Sequence, residues 1–191
     1  YWLMRSYIEM KNLEKALGVS EKILSSFSKD KTVIETAYYH ADILRRLDRK
    51  AEAEIEFARV SRDYPASEFA PISLFQAGKI AFDHSAYLKA CSYFSELIGK
   101  YPGSNLAPNA LYKKFCAEYY SGNEDAALAS VRKLVEAYPA SEFAPAALFW
   151  LLDYYREKKL YDKAMETASG IMSGYKDNPS VSAQALYESA N

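Results

Sequence analysis

Apolar residues recur along the chain at helical spacing, in two runs per cycle. Between Pro71 and Asp83 they fall at Leu74, Ala77, Gly78 and Ala81, which places them on one face of a helix. His84 and Ser85 interrupt the pattern, and a second run over Ala86–Tyr101 carries Tyr87, Ala90, Phe94, Leu97 and Ile98. The following cycle breaks at Ser121-Gly122-Asn123, a stronger turn signal. The chain therefore reads as a succession of helix pairs.

The pairs are copies of one unit. The octapeptide YPASEFAP occupies Tyr64–Pro71 and again Tyr138–Pro145, with YPGSNLAP at Tyr101–Pro108 between them. Tyr64, Tyr101 and Tyr138 stand 37 residues apart; one step on is Tyr175 and one step back is Phe27. Other columns keep the phase. Ala37, Leu74, Leu111 and Leu148 form one, and Tyr38, Phe75, Tyr112 and Phe149 form the next. Ala16, Ala53, Ala90, Ala127 and Ala164 form a third. Repeats are expected over about 1–27, 34–64, 71–101, 108–138 and 145–175, with the first helix of a further unit over about 181–191, all in one array. A single pair cannot bury its apolar face, so stacked pairs give an all-α solenoid. Ala and Gly columns admit close helix approach. The YP step ends each second helix, because proline disfavours helix in the residue before it. Ser67, Ser104 and Ser141 are expected as N-caps, with Glu68 and Glu142 in the first turn and Pro71, Pro108 and Pro145 in an early turn.

The columns resemble the tetratricopeptide repeat. The third unit has Leu74, Ala77-Gly78, Ala81, Tyr87, Ala90, Phe94, Leu97 and Pro102 at that family's spacings. The fourth keeps Leu111, Gly122, Ala127, Leu134 and Pro139, and the fifth Leu148, Leu151, Tyr155, Tyr161, Ala164 and Ile171. The resemblance implies a right-handed superhelical solenoid of antiparallel helix pairs whose first helices line a concave groove. The three YP-x-S-x-x-A-P segments are similar to those of bacterial cell-envelope tetratricopeptide proteins, of the outer-membrane assembly lipoprotein and Tol-Pal-associated periplasmic types. That likeness implies a periplasmic or outer-membrane-associated setting. The sequence opens on Tyr1 rather than Met and is expected to be part of a longer chain, with any signal or lipid anchor upstream.

Charge gives no reason to expect nucleic acid: 24 Lys and Arg stand against 25 Asp and Glu. No apolar run approaches the ~18 residues of a membrane span, so membrane contact would be indirect, through an unseen anchor. Cys91 and Cys116 do not make a disulfide framework; two free thiols are expected. His40 sits beside the Ala41 core position and reads as a satisfied histidine, and His84 as a solvated one at a turn. No HExxH, CxxC, GxGxxG, P-loop or GxSxG occurs, so neither a catalytic activity nor a metal or cofactor is expected.

The candidate site is the first-helix stripe that follows the repeat marker at i, i+4 and i+7. It comprises Tyr38, Asp42 and Arg45; Phe75, Lys79 and Phe82; Tyr112, Cys116 and Tyr119; and Phe149, Asp153 and Arg156. The leading aromatics can equally wedge between adjacent first helices, whereas the later positions vary between units, as specificity positions do. The family's peptide-carboxylate clamp of recurring Lys, Asn and Arg is not evident. The expectation is a non-catalytic scaffold binding a protein or peptide segment; the alternative is a helical arm of a larger enzyme or envelope machine. The sequence does not set the oligomeric state.

Overall fold

The computed structural model describes residues 1–26 and 31–190; the first repeat marker, Phe27, and the terminal Asn191 lie outside the described residues. The described residues form α-helices: α1 (Trp2–Glu9), α2 (Leu13–Ser26), α3 (Lys31–Arg46), α4 (Lys50–Asp63), α5 (Phe69–Asp83), α6 (Tyr87–Lys100), α7 (Ala107–Tyr120), α8 (Glu124–Ala137), α9 (Phe143–Glu157), α10 (Tyr161–Gly174) and α11 (Pro179–Ala190). They divide into two compact units, Tyr1–Ala110 and Leu111–Asn191, the division falling within α7. In the first unit each of α1 to α5 packs on the next, and α3 also meets α5. In the second, α8, α9, α10 and α11 pack in sequence. The all-α class and the helix pairs follow the sequence period.

Three residues join the two helices of every pair, and the middle one has positive φ each time. Lys11 (57°), Asp48 (61°), Ser85 (58°), Gly122 (80°) and Lys159 (58°) are spaced by the repeat length. At each, two backbone bonds close the end of the first helix. Ser85 N–H donates to the Phe82 carbonyl and Ala86 N–H to the Ala81 carbonyl, both at 2.9 Å. Gly122 and Asn123 bond Tyr119 and Glu118 in the same way, and Lys159 and Leu160 bond Arg156 and Tyr155. This is the Schellman arrangement, which satisfies carbonyls that a helix end would otherwise leave orphaned. Asn123 then caps α8, its side chain accepting from Ala126 N–H at 3.2 Å. The alanine column follows four residues after each turn residue's successor and is fully or almost fully buried: Ala16, Ala53, Ala90 and Ala127 at 0% exposure, Ala164 at 5%. So short a connection holds the helix pair at close range there, and a methyl group fits the space.

The YP joints are turns; the expected serine caps are corrected at Ser67 and Ser141, while the Ser104 hydroxyl accepts from Leu106 N–H at 3.2 Å, as a cap does. Ser67, Ser104 and Ser141 N–H groups donate to the carbonyls of Tyr64, Tyr101 and Tyr138, closing a four-residue turn with proline in its second position. The Ser67 hydroxyl donates back to the Tyr64 carbonyl at 2.8 Å. No side chain caps α5 or α9, whose N-cap positions are Glu68 and Glu142. The prolines do fall in the first turn, Pro71 as the third residue of α5 and Pro108 as the second of α7. The marker tyrosine has a further role. Tyr101 donates its hydroxyl to the Pro65 carbonyl at 2.8 Å, and Tyr175 does so to the Pro139 carbonyl at 3.0 Å. Each bond ties one joint to the joint one repeat earlier.

Within the first unit Met4, Leu17, Ile43, Leu44, Phe57 and Ile80 form a continuous core. Gly78 is needed at its position: a Cβ there would lie 2.6 Å from the fully buried Phe94 ring. His40 is buried and its Nδ1 lies 2.9 Å from the Ser20 hydroxyl. That hydroxyl donates to the Leu17 carbonyl, so the Nδ1–H of His40 donates to Ser20 and links α3 to α2. Burial lowers the His40 pKa below 6.5; Glu56 and Glu21 oppose the shift, while Arg59 and Arg49 add to it. His84 is exposed at its turn, as expected.

Urea denaturation tests these assignments. Lys159→Gly should raise stability by about 0.5–1 kcal/mol, since glycine removes the left-handed penalty and returns part of it as unfolded-chain entropy. Gly78→Ala should lower it by about 1–3 kcal/mol despite alanine's higher helix propensity, because the Phe94 ring must move. For His40 the unfolded chain takes up its proton first. Its contribution therefore falls as pH drops below 6.5 and levels off only below the depressed native value. The stability difference between the wild type and His40→Asn should shrink or reverse between pH 8 and pH 5, and a difference independent of pH would refute the assignment.

Candidate functional site

In the first unit the stripe runs along α3 and α5. Tyr38 is wedged between helices, its ring centroid 5.7 Å from Phe57 of α4 and 5.1 Å from Phe69 of α5. Burial, then the Asp42 carboxylate, raises its phenol pKa. One turn on, Asp42 and Arg45 pair within α3 at 2.5 Å. Phe75 packs on Phe94 at 5.9 Å and Phe82 edge-on against Tyr87 at 5.5 Å. Lys79 is exposed between them.

In the second unit the stripe gathers aromatic residues more densely. Tyr112 lies 5.6 Å from Phe143 at 34° between ring planes, nearly repeating the 35° of Tyr38 on Phe69. Burial raises the pKa of the adjacent Cys116 thiol. Further along α7, Phe115 and Tyr119 both meet Trp150 of α9 edge-on, at 4.7 and 5.2 Å. Trp150 stacks on Tyr154 at 5.3 Å and 22°. The Tyr154 hydroxyl donates to Glu124 at 2.9 Å, and Lys158 pairs with the same carboxylate at 2.9 Å. Lys158, then the Tyr154 hydrogen bond, holds Glu124 below the usual carboxylate range. Tyr119 remains 40% exposed and its neighbour Tyr120 61% exposed. Phe149 is half-buried. Asp153 and Arg156 are 3.5 Å apart, and Arg156 also pairs with Glu188 of α11 at 2.9 Å. Burial, then Glu188, raises the Asp153 carboxyl.

The structure thus gives the leading aromatics Tyr38 and Tyr112 a packing role between successive first helices. It brings the second-unit candidates Tyr112 and Tyr119 into one array with Phe115, Trp150 and Tyr154. These last three were not singled out in the sequence. Trp150, Tyr154 and Lys158 recur at i, i+4 and i+8, one position past the repeated aromatic column, and that spacing was the available signal. Cys91 and Cys116 are half-buried. Among the described residues no three His, Cys, Asp or Glu side chains converge as a metal site.

A second concavity lies on the other side of α9, between the second helices α8 and α10. It encloses about 470 Å³, floored by Leu148, Leu151 and Tyr155 and walled by Gly170 and Gly174. Neither glycine would have any atom within 4 Å of an added Cβ. Gly170, inside α10, costs the helix about 1 kcal/mol relative to alanine.

Two family models, both described as tetratricopeptide repeat, match residues 73–104 and 112–179, together just over half of the chain. A comparison with curated protein sequences finds no significant match. Solved structures share the fold at low identity. A MamA fragment from Desulfovibrio magneticus RS-1 is 15% identical with a TM-score of 0.64, over 93% of both chains. A tetratricopeptide repeat protein from Parabacteroides merdae is 14% identical with a TM-score of 0.66, over 98% of this chain and 71% of that one. YrrB, described as a tetratricopeptide repeat protein with an unusual peptide-binding site, is 16% identical with a TM-score of 0.63, over 96% and 88%. Repeat period, helix pairing, family models and structural likeness agree that this chain is a tetratricopeptide repeat protein.

Proposed function

We propose that the chain is a non-catalytic protein-interaction scaffold that takes a partner's peptide segment on its first-helix faces. The observation that carries this reading is the array of Phe115, Tyr119, Trp150 and Tyr154 on α7 and α9, which leaves Tyr119 40% exposed beside Trp150. Packed aromatic rings lose little entropy on binding and offer wide contact area, with about 0.5–1.5 kcal/mol per ring pair beyond burial. The array ends in Glu124 and Lys158, and a separate Asp153–Arg156–Glu188 charge group joins α9 to α11; such groups would orient a partner rather than add much affinity. In the first unit Asp42 and Arg45 satisfy one another, so exposed Lys79, with Phe75 and Phe82, offers the more available contact. The peptide-binding site in YrrB's description supports the class of ligand. A bacterial envelope setting, periplasmic or at the outer membrane, rests on the likeness of the YP-x-S-x-x-A-P joints.

Photo-crosslinking from position 119 in cells, followed by mass spectrometry, would identify the partner. Trp150→Ala and Tyr119→Ala should then each weaken calorimetric affinity for it at least tenfold, about 1.4 kcal/mol. Unchanged affinity in both, with circular dichroism intact, would remove the site. Recovery of the protein in the cytosolic fraction of lysed spheroplasts would remove the envelope setting.

A further inference from the structure

The concavity between α8 and α10 is bordered by two positions at which the second helix of the fifth repeat departs from the others. Gly170 and Gly174 stand where the fourth repeat has Lys133 and Ala137, and where the third has Glu96 and Lys100. Thr167 stands in the register of Ser130 in the fourth repeat and of Tyr93 in the third. In the first unit that tyrosine is half-buried on α6 and reaches back to α4, donating its hydroxyl to Glu54 at 3.0 Å. Burial, then Glu54, pushes its pKa up to about 12. An aromatic side chain therefore fills the space between consecutive second helices in one unit, and that side chain is absent in the other. The consequence is visible at Leu148. It is half-exposed in the cavity floor, whereas Leu74 and Leu111 in the same column are 1% exposed.

The rim has its own chemistry. Arg132 and Lys163 stand at the mouth, and neither has an ion-pair partner among the described residues. The Arg132 guanidinium lies 3.5 Å from the Tyr155 hydroxyl, and the Lys163 ammonium 5.7 Å from the Tyr155 ring centroid. Glu166 is the acid of the rim. Two cations without ion-pair partners favour a carboxylate, and the apolar floor favours a large side chain. A peptide supplies both together, and its backbone N–H groups can meet Glu166, whereas a fatty acid brings only its own carboxylate toward the Glu166 charge.

We propose that the α8–α10 cavity is a second docking site, separate from the first-helix face, for a partner segment that inserts an aromatic side chain flanked by an acidic residue. The inserted ring takes the place that Tyr93 occupies between α4 and α6. Gly170 and Gly174 keep the cavity open, Gly170 at the expense of helix propensity.

The test is an NMR titration of the ¹⁵N-labelled chain with the acetylated, amidated pentapeptide Gly-Asp-Tyr-Asp-Gly. Saturable shifts are expected at the amides of Thr167, Gly170 and Gly174. Peptides with alanine for tyrosine, or lysine for both aspartates, should bind at least tenfold more weakly. Gly170→Leu should abolish the shifts while raising the melting temperature, which separates a filled cavity from a failed fold. Arg132→Glu should weaken the aspartate peptide at least fivefold and improve binding of the lysine peptide. Trp150→Ala should leave the shifts unchanged, so failure here and failure of the first-helix reading are distinguishable. Absence of saturation at millimolar peptide, retained binding in Gly170→Leu, or shifts at these residues with sodium decanoate but not with peptide would overturn the proposal.

Discussion

A residue with positive φ, set between two helices at every repeat, is the constraint on which this structure depends. It turns the chain back within three residues, and both carbonyl-satisfying bonds of the turn come from backbone N–H groups. Because the connection is so short, the paired helices meet closely at the start of the second helix, where an invariant alanine column is buried. Within each unit the amphipathic faces of one pair are thereby aimed at the next, and the core there forms by stacking.

The joints between pairs use different chemistry. Proline ends the second helix, a turn closes on the marker tyrosine's carbonyl, and the tyrosine hydroxyl reaches the preceding joint's proline carbonyl. Pro65 and Pro139 supply only acceptors, which is what that tyrosine requires. The near-identity of YPASEFAP at two joints thus reflects a bond network made afresh in each. These joints leave the first helices free to vary beyond the repeated aromatic column. Variation there built the Tyr119–Trp150–Tyr154 array in the second unit and left a lysine exposed at position 79 in the first.

Much of the fold was legible because helix periodicity and repeat period are both linear properties. The turn at Ser85 was read from broken periodicity, and the Ala90 and Ala127 column from phase alone. The left-handed column was not legible as such. Lys11, Asp48, Ser85, Gly122 and Lys159 share no side-chain chemistry, since the backbone makes the bonds that define the turn. The caps at Ser67 and Ser141 were misread for a related reason: there the serine N–H, not its hydroxyl, closes the joint. Of the candidate site, Tyr119 and Tyr112 were legible from the stripe. Trp150 was not, because one position along a helix is 100° of rotation and the repeated column lay one residue away.

The sequence by itself determined the unit, its length, its two helices and which columns are apolar, because these follow from local spacing and from repetition. Only the tertiary structure decided which aromatic residues pack and which remain exposed. Tyr38 and Tyr112 occupy the same column as Phe75, yet their ring partners come from helices distant in sequence. Only the tertiary structure, too, showed that Gly170 and Gly174 border an open space rather than a close contact such as Gly78 makes with Phe94. A glycine's meaning lies in what faces it, and what faces it is set by packing.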